Sequence, residues 1–543
     1  MDLNLFPIEI LEEILSWLSL NDVLKASLVC HRWNGAAGTV IARKCCLRID
    51  NSMLAHQEVL SNSGRNYYAI SINAMDSWVQ LRIILDLCAA KFTPRKFELT
   101  GILEDHLDRF YQTYRDWFAH VECLQIELDD RFTDYLVCGQ ADYRLCLPKL
   151  RHLRWRECLY GAGEKTVTIE APNLKSAIVE DSLDATAILR LPTCDKLTEI
   201  KSMLYTKHFT DTFTGTLSSL RKLVLDFANE NYDLSFFAQL PNLRWLELSI
   251  YFGEMTWKHL QAICGCGLLE SLRICVKDSV NRRGALNLAT ICNGLPKLEQ
   301  LELAGLDLIF SDPVRSENLK ILKLKDVNFW DSECTLNLTA PALESLSLPV
   351  GVLSKTFLEK NGVSKLFVDL GARNLEETFK MYLSAFLLQH DTVRELIILN
   401  PNYKSSIVFN TIHEDKDFVP HIEKLQLRTL CVSIDFFQQI SKWKTLKHLS
   451  LVGCTIGCHE AVETVHLDNV TTLHVDCVKL SNSQLVRFPI TVANGAEEME
   501  TEATVVGHRM GPTMVFRSTN LTDSEMRLPT FGSNGIDRRS GPL

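Results

Sequence analysis

Aliphatic positions recur along most of the chain in one unit: an aliphatic residue, two others, a second aliphatic, one other, and a third. The unit reads Leu150, Leu153, Trp155; Leu220, Leu223, Leu225; Leu243, Leu246, Leu248; Leu269, Leu272, Ile274; Leu298, Leu301, Leu303; Leu319, Leu322, Leu324; and Leu343, Leu346, Leu348. Later copies start at Val363, Val393, Ile422, Leu446 and Val470, and weaker ones at Val121, Leu174 and Leu197. The copies return about every 20–30 residues. The second and third aliphatics lie two apart, so both face one side of a short strand, which the first feeds from the preceding turn.

Several copies have a proline just ahead, at Pro148, Pro172, Pro241, Pro296 and Pro341. Such a proline stops the helix before it and sets up an extended lead-in. Between copies lie segments with helical spacing, such as Trp257–Cys264 and the stretch from Glu376 through Phe379, Leu383 and Phe386 to Leu387. Strand and helix alternating over one shared apolar core make a solenoid, in which each unit leaves a face exposed until its neighbour covers it. The region from about 90 to 480 resembles leucine-rich-repeat proteins, and the copy at Leu446, Leu449, Leu451 also carries Cys454, the cysteine of a buried repeat turn. The fold implied is an α/β solenoid, a leucine-rich-repeat horseshoe.

The head of the chain is patterned differently. Ile10, Leu11, Ile14, Leu15 and Leu18 follow helical spacing behind Pro7, a residue suited to a first helical turn. Asn21 or Asp22 can cap a second helix through Val23, Leu24 and Leu28, and a third, short helix would carry Trp33. So much apolar surface on so small a module calls for a partner. Phe6-Pro7-Ile8-Glu9-Ile10-Leu11 at one end and Val29-Cys30-His31-Arg32-Trp33 at the other resemble the F-box, with Phe6 where that family usually has leucine. The resemblance implies a three-helix module that docks a Skp-family adaptor and, through it, the cullin and RING subunits of a ubiquitin ligase. It places Phe6, Pro7, Ile10, Leu11, Leu24 and Val29 at the adaptor; Trp33 and Ile14 stay open between adaptor and internal core. The organisation expected is F-box at 1–46, a connecting segment or irregular first repeat at 47–90, solenoid at 91–480, and a disordered tail at 490–543.

In such a solenoid the strands line the concave side, and the residues between the aliphatics point outwards there. That column mixes both charges with exposed aromatics, the residue types enriched in protein interfaces. Arg154, Trp245, Arg273, Lys323, Phe367 and Arg428 are the candidates for holding a protein client.

Composition narrows the reading. The apolar fraction of 46% is that of a folded chain, and the net charge of −10 argues against a mainly electrostatic nucleic-acid binder. Eighteen cysteines spread through apolar runs read as reduced, buried residues of a cytoplasmic or nuclear protein. Glu9, Glu12 and Glu13 interrupt the apolar start, so neither a signal peptide nor a membrane span is expected. No phosphate loop or H-E-x-x-H occurs, and Cys454, Cys458, His459 and His466 fit no standard zinc spacing. The expectation is a non-catalytic subunit without cofactor or metal: the substrate-recognition part of an SCF-type cullin–RING ligase, with an unnamed protein client. Two rivals stay open, an adaptor-binding scaffold with no part in degradation and a free-standing repeat module that binds proteins.

Overall fold

The computed structural model describes residues 6–492, except 51, 53–56, 63–66, 74–77, 103, 130–142, 159–164, 181–186, 205–208, 228–233, 252–254, 278–284, 311, 330–334, 354, 360–361, 371–375, 401–407, 410–418, 458–464, 477–478 and 481–489, together with 504–506 and 513–515. It divides into two compact units, 1–363 and 364–543.

The first unit is organised by one parallel ladder. Its strands are β1 (Cys46–Ile49), β2 (Ala69–Asn73), β3 (Lys96–Ile102), β4 (Cys123–Asp129), β5 (His152–Cys158), β6 (Ser176–Glu180), β7 (Glu199–Leu204), β8 (Lys222–Phe227), β9 (Trp245–Ile250), β10 (Ser271–Val276), β11 (Gln300–Ala304), β12 (Ile321–Lys325) and β13 (Ser345–Pro349). Each pairs in parallel with the next. The register superposes the aliphatic columns: Leu223 sits opposite Leu246 and Leu246 opposite Leu272, while Leu225, Leu248 and Ile274 align one step on. All of these are at most 1% exposed. Each fully buried Leu or Ile adds about 1.5–3 kcal/mol, so the stacked columns are the main source of stability.

The lead-in to each strand is a tight turn. Leu150, Leu174, Leu243, Leu298 and Leu343 donate their N–H to Leu147, Ala171, Leu240, Leu295 and Ala340, three residues earlier, at 3.0–3.2 Å. Pro148, Pro172, Pro241, Pro296 and Pro341 occupy the second position of these turns, where a fixed φ near −65° is favoured. Only two of the five follow a helical segment, Ser235–Gln239 and Leu288–Gly294; the other three follow strands. The proline therefore shapes the turn, whatever precedes it. Asparagine at the third position ties one turn to the previous one: Asn173 donates to the Pro148 carbonyl, Asn242 to Ser218 and Asn318 to Pro296, at 2.7–2.8 Å.

The ladder begins before residue 91. In β2 and β3 the inward residues are Ile70, Ile72, Phe97 and Leu99, all buried. The first aliphatic of their units is replaced by Tyr67 and the buried Pro94. Residues 47–90 thus include irregular repeats in register with the rest. Away from the ladder lie helices such as Trp257–Cys264 and short parallel strand columns, among them Ala285–Asn287, Asp307–Ile309 and Asn328–Phe329. Gly305 allows the turn from ladder strand β11 into Asp307–Ile309: its φ is +68°, and a Cβ there would lie 1.9 Å from the Val276 carbonyl oxygen.

The second unit has its own parallel ladder, β14 (Lys365–Asp369), β15 (Glu395–Leu399), β16 (Lys424–Arg428), β17 (His448–Val452) and β18 (Thr472–Asp476). The helix Glu376–Gln389 packs Leu383, Phe386 and Leu387 inwards, as its spacing predicts. Cys454 is buried, with its Sγ donating to the Leu427 carbonyl at 3.3 Å; Cys458 and His459 lie outside the described residues. The region 490–543 contains the strand Ile490–Val492, paired with Val465–Leu467, and the antiparallel pair Thr504–Val506 and Thr513–Val515. Its remaining residues, including the acidic run from Glu497, lie outside the described ones.

The head, in the first unit, has three helices: α1 (Ile8–Ser16), α2 (Leu20–Ala26) and α3 (His31–Lys44). Pro7 is the N-terminal cap residue of α1, in extended conformation. The cap of α2 is Ser19, not Asn21 or Asp22: its hydroxyl accepts from the Asp22 N–H at 3.3 Å, while Asp22 lies within the first turn. The third helix is long, because Ala36, Ala37, Val40 and Ile41 continue the buried stripe well beyond Trp33.

Candidate functional site

Two surfaces carry the functional question. The first is on the head. Its closed core consists of Leu11, Leu15, Val23, Ala36, Ala37, Val40 and Ile41, with Phe6, Leu24 and Trp33 partly buried against it. Leu11 is 0% exposed. It was expected at the adaptor, and the structure places it in the core: Leu11 and Leu15, four residues apart, face α3. Pro7, Ile10 and Val29 are exposed, while Phe6 and Leu24 stand between core and surface. Of the two residues left open, Trp33 packs on the core and Ile14 is exposed.

A face of apolar side chains remains in water. Ile10, Ile14, Trp17 and Leu18 recur at helical spacing along α1 and its end, followed by Leu20, Leu28 and Val29. Trp17 is 82% exposed and Leu28 85%. A run of large exposed apolar residues on one small module marks an interaction site. Trp17 and Leu28 were not singled out from sequence, although both lie within the apolar run. What separates Trp17 from Leu11 and Leu15 is the rotation of α1 against α3, which the helical spacing alone leaves free; Leu28, expected on the second helix, lies past the end of that helix at Ala26. The head is braced by Arg43 to Glu12 at 3.2 Å, by Lys44 Nζ to the Leu18 carbonyl at 2.7 Å, and by Arg32 to the Phe6 carbonyl.

The second surface is the open side of each ladder. Arg154, Trp245 and Arg273 are exposed there on β5, β9 and β10, and Lys323 is half exposed on β12. They do not form one cluster, since β6, β7 and β8 separate Arg154 from Trp245. Phe367, half buried on β14, and Arg428, exposed on β16, belong to the second unit. The charged candidates of the first unit already have partners. Arg154 reaches Glu180 at 3.2 Å, and Arg156 pairs with Glu127 at 3.1 Å. Glu302 is the hub of a cross-strand network, with Lys325 at 2.7 Å, Arg273 at 3.5 Å and Lys323 at 3.7 Å; Arg273 also meets Glu247 at 2.9 Å. Burial alone would push the Glu302 carboxyl up, but the Lys325 hydrogen bond and the three cations together bring it below its ordinary value. Trp245, 40% exposed, is an aromatic on this face in the first unit.

Among the described residues no group of three or more His, Cys, Asp or Glu is placed to hold a metal ion. Cys88, Cys194, Cys266 and Cys292 are buried among core residues, and burial pushes the thiols of Cys88, Cys194 and Cys292 up to about 12 and that of Cys266 to about 11. Among the described residues no helix is long and apolar enough to cross a membrane.

The F-box domain family model matches residues 3–41. No curated protein matches the chain. Among solved structures, a TLR13–ssRNA13 complex is 14% identical with a TM-score of 0.41, covering 79% of this chain and 63% of the other, so the chain spans less than two thirds of that protein. An internalin (inlF) from Listeria monocytogenes is 12% identical with a TM-score of 0.25, over 72% of this chain and 82% of that one. The PEPR1–AtPEP1 structure is 12% identical with a TM-score of 0.28, over 80% and 64%. The repeat ladder rests on its own register and turn geometry. The chain carries an F-box domain at its head, matched over residues 3–41, and repeat-built parallel ladders follow it in sequence.

Proposed function

We propose that this protein is the substrate-recognition subunit of an SCF-type cullin–RING ubiquitin ligase. Its head binds a Skp-family adaptor and, through it, cullin and RING subunits, while the solenoid holds a protein client. One observation carries the reading: the F-box closes its own core around Leu11, Leu15 and Val23, yet leaves Ile10, Ile14, Trp17, Leu28 and Val29 in water. A cap that merely ended the solenoid would present a polar outer face. The chain itself performs no chemistry in this reading. It raises the local concentration of client lysines near activated ubiquitin, which is catalysis by proximity.

The test is reconstitution. The full chain is expressed with a Skp-family adaptor, a cullin and a RING subunit, and the assembly is followed by gel filtration and ubiquitin transfer. The adaptor and the chain should elute together. Absence of adaptor from the purified chain would sink the reading and favour a free-standing repeat module. An assembled complex that never transfers ubiquitin to any bound client would favour a scaffold.

A further inference from the structure

The residue just ahead of each ladder strand belongs to a row held by backbone hydrogen bonds. Lys175 N–H donates to the Arg151 carbonyl, Thr198 to Lys175, Arg221 to Thr198, Arg244 to Arg221, Glu270 to Arg244 and Glu299 to Glu270, all at 2.8–2.9 Å. The row continues to Glu122 and Arg95 on one side and to Lys320 and Glu344 on the other, with mixed charge at both ends, but its middle is not mixed. It is basic from Arg151 to Arg244 and acidic at Glu270 and Glu299. Lys149 and Lys196, in the lead-in turns, reinforce the basic end. Lys149, Arg151, Asn173, Lys175 and Lys196, with Glu122, line a cleft of about 260 Å³.

Elsewhere on the ladder, cations are matched by carboxylates on neighbouring strands: Lys222 by Glu199, Arg244 by Glu270, Arg273 by Glu247. The basic end departs from that pattern. Glu122 is shared between Arg95 at 3.6 Å and Arg151 at 3.9 Å. Lys149 Nζ meets only the His120 ring nitrogen, at 2.9 Å, and Lys196 Nζ donates to Asn173 Oδ1 at 2.6 Å. Among the described residues, Lys149, Lys175, Lys196 and Arg221 have no carboxylate within salt-bridge reach. Along this edge the four cations create a local positive potential on a chain of net charge −10, one that an anion can neutralise.

We propose that this lead-in edge, from β5 to β8, receives an extended acidic segment of the protein client, its charge supplied by carboxylates or by phosphorylated side chains. The proposal rests on the reading of the solenoid as a client receptor and names the chemistry of the client. Strands in a sheet lie about 4.8 Å apart, so the three steps from Arg151 to Arg221 span about 14 Å. That is the reach of about four or five extended residues. Arg151 offers a planar fork that can take a carboxylate or phosphate through two bonds, and the lysines act as mobile point charges. The net charge of −10 disfavours a long polyanion such as nucleic acid, whose charge would run on past this short edge.

The experiment measures fluorescence anisotropy of labelled probes on the full chain bound to its adaptor. The probes are an alternating Glu-Gly octapeptide, its Gln-Gly counterpart, a phosphoserine-Gly octapeptide, and an oligodeoxythymidine of matched charge. Either acidic peptide should bind in a salt-dependent way while the Gln-Gly peptide does not, and whichever binds tighter identifies the source of the charge. The exposed pair Lys175→Ala, Lys196→Ala should weaken binding about tenfold, and Lys175→Glu, Lys196→Glu should abolish it. Adaptor affinity and thermal unfolding should stay at wild-type values in both variants. The proposal is overturned if neither acidic peptide binds, if the lysine variants bind as wild type does, or if the oligonucleotide outcompetes both peptides. A chain that binds the peptide but no adaptor would leave this site standing and remove the ligase reading instead.

Discussion

Replacing Leu28 and Val29 by aspartate tests the division of the head into core and interface. The two residues are 85% and 65% exposed, so the free chain has little to lose. Its stability should change by no more than about 0.5 kcal/mol, the ordinary range for surface positions. At an adaptor interface the balance reverses. Full burial of a Leu or Val is worth about 1.5–3 kcal/mol, and scaling by the exposed fractions gives roughly 3 kcal/mol for the pair. That is at least about a hundredfold in Kd, before any penalty for burying the new carboxylates. The counterpart is Leu11→Ala. Leu11 is 0% exposed and packs in the core between α1 and α3, so its truncation should destabilise the head by about 2–5 kcal/mol. Its adaptor binding should fall only as far as the head unfolds. The assay pairs calorimetric titration of purified adaptor with chemical denaturation of the same samples. The reasoning fails if the Leu28, Val29 variant binds with the wild-type Kd, or if the Leu11 variant is as stable as wild type.

Other consequences follow from single positions. Ser202 stands where the repeat wants its third aliphatic, is 0% exposed, and its hydroxyl has no hydrogen-bond partner among the described residues; Ser202→Ala should raise the urea midpoint, equivalent to about 1 kcal/mol, and a lower midpoint would show that the hydroxyl is satisfied. Glu302→Gln removes the hub of the cation network and should lower stability by about 1 kcal/mol at neutral pH. Because the folded carboxyl is held below its ordinary 4.5, that stabilisation is present above this value and lost as pH falls through the lower folded one. The gap between wild type and variant should therefore close on acidification, and a pH-independent gap would refute the linkage. Asn242→Ala deletes one tie between successive turns and should cost about 0.5–1.5 kcal/mol by chemical denaturation, whereas Asn337→Ala, in an exposed strand position without such a tie, should be neutral.

The solenoid was legible because its signal is redundant. Leu223, Leu246 and Leu272 occupy equivalent places, and each copy reinforces the next. Legibility failed where a unit lost one of its aliphatics. Tyr67 and Pro94 hid the repeats containing β2 and β3, yet the ladder tolerates them because the inward pairs Ile70, Ile72 and Phe97, Leu99 are intact. The lead-in prolines were readable as markers, but their role in the turn needed the hydrogen bonds from Leu150 and Leu343 to be seen. The head was legible as a module and poorly legible as a surface. All of its aliphatics share one broad stripe, and only the packing of α1 on α3 decides that Leu11 turns inwards while Ile10, Ile14 and Trp17 turn out. The lead-in edge escaped notice for a related reason. Arg151, Lys175 and Arg221 are more than twenty residues apart in sequence, and only strand register makes them neighbours.

The junction between head and ladder bears on how a proximity device would work. Helix α3 ends at Lys44 and β1 begins at Cys46, leaving Cys45 alone between them. Cys45 is not a free hinge: its N–H donates to the Ile41 carbonyl at 2.8 Å, and its side chain packs against the head core. The Tyr68 N–H, at the start of β2, donates to the Ala42 carbonyl at 3.2 Å, so the second strand also grips the helix. Arg43 and Lys44, in the last turn of α3, reach back to Glu12 on α1 and to the Leu18 carbonyl just beyond it. Bending the head away from the first strands would break the Tyr68–Ala42 bond and draw Cys45 off the head core, so the joint resists bending more than a flexible linker does. Effective concentration depends on the range of positions a tether allows. On the proposed reading, a joint that resists bending holds the first strands relative to the exposed apolar residues of α1, so the client's reach towards ubiquitin is set by where along that ladder it binds.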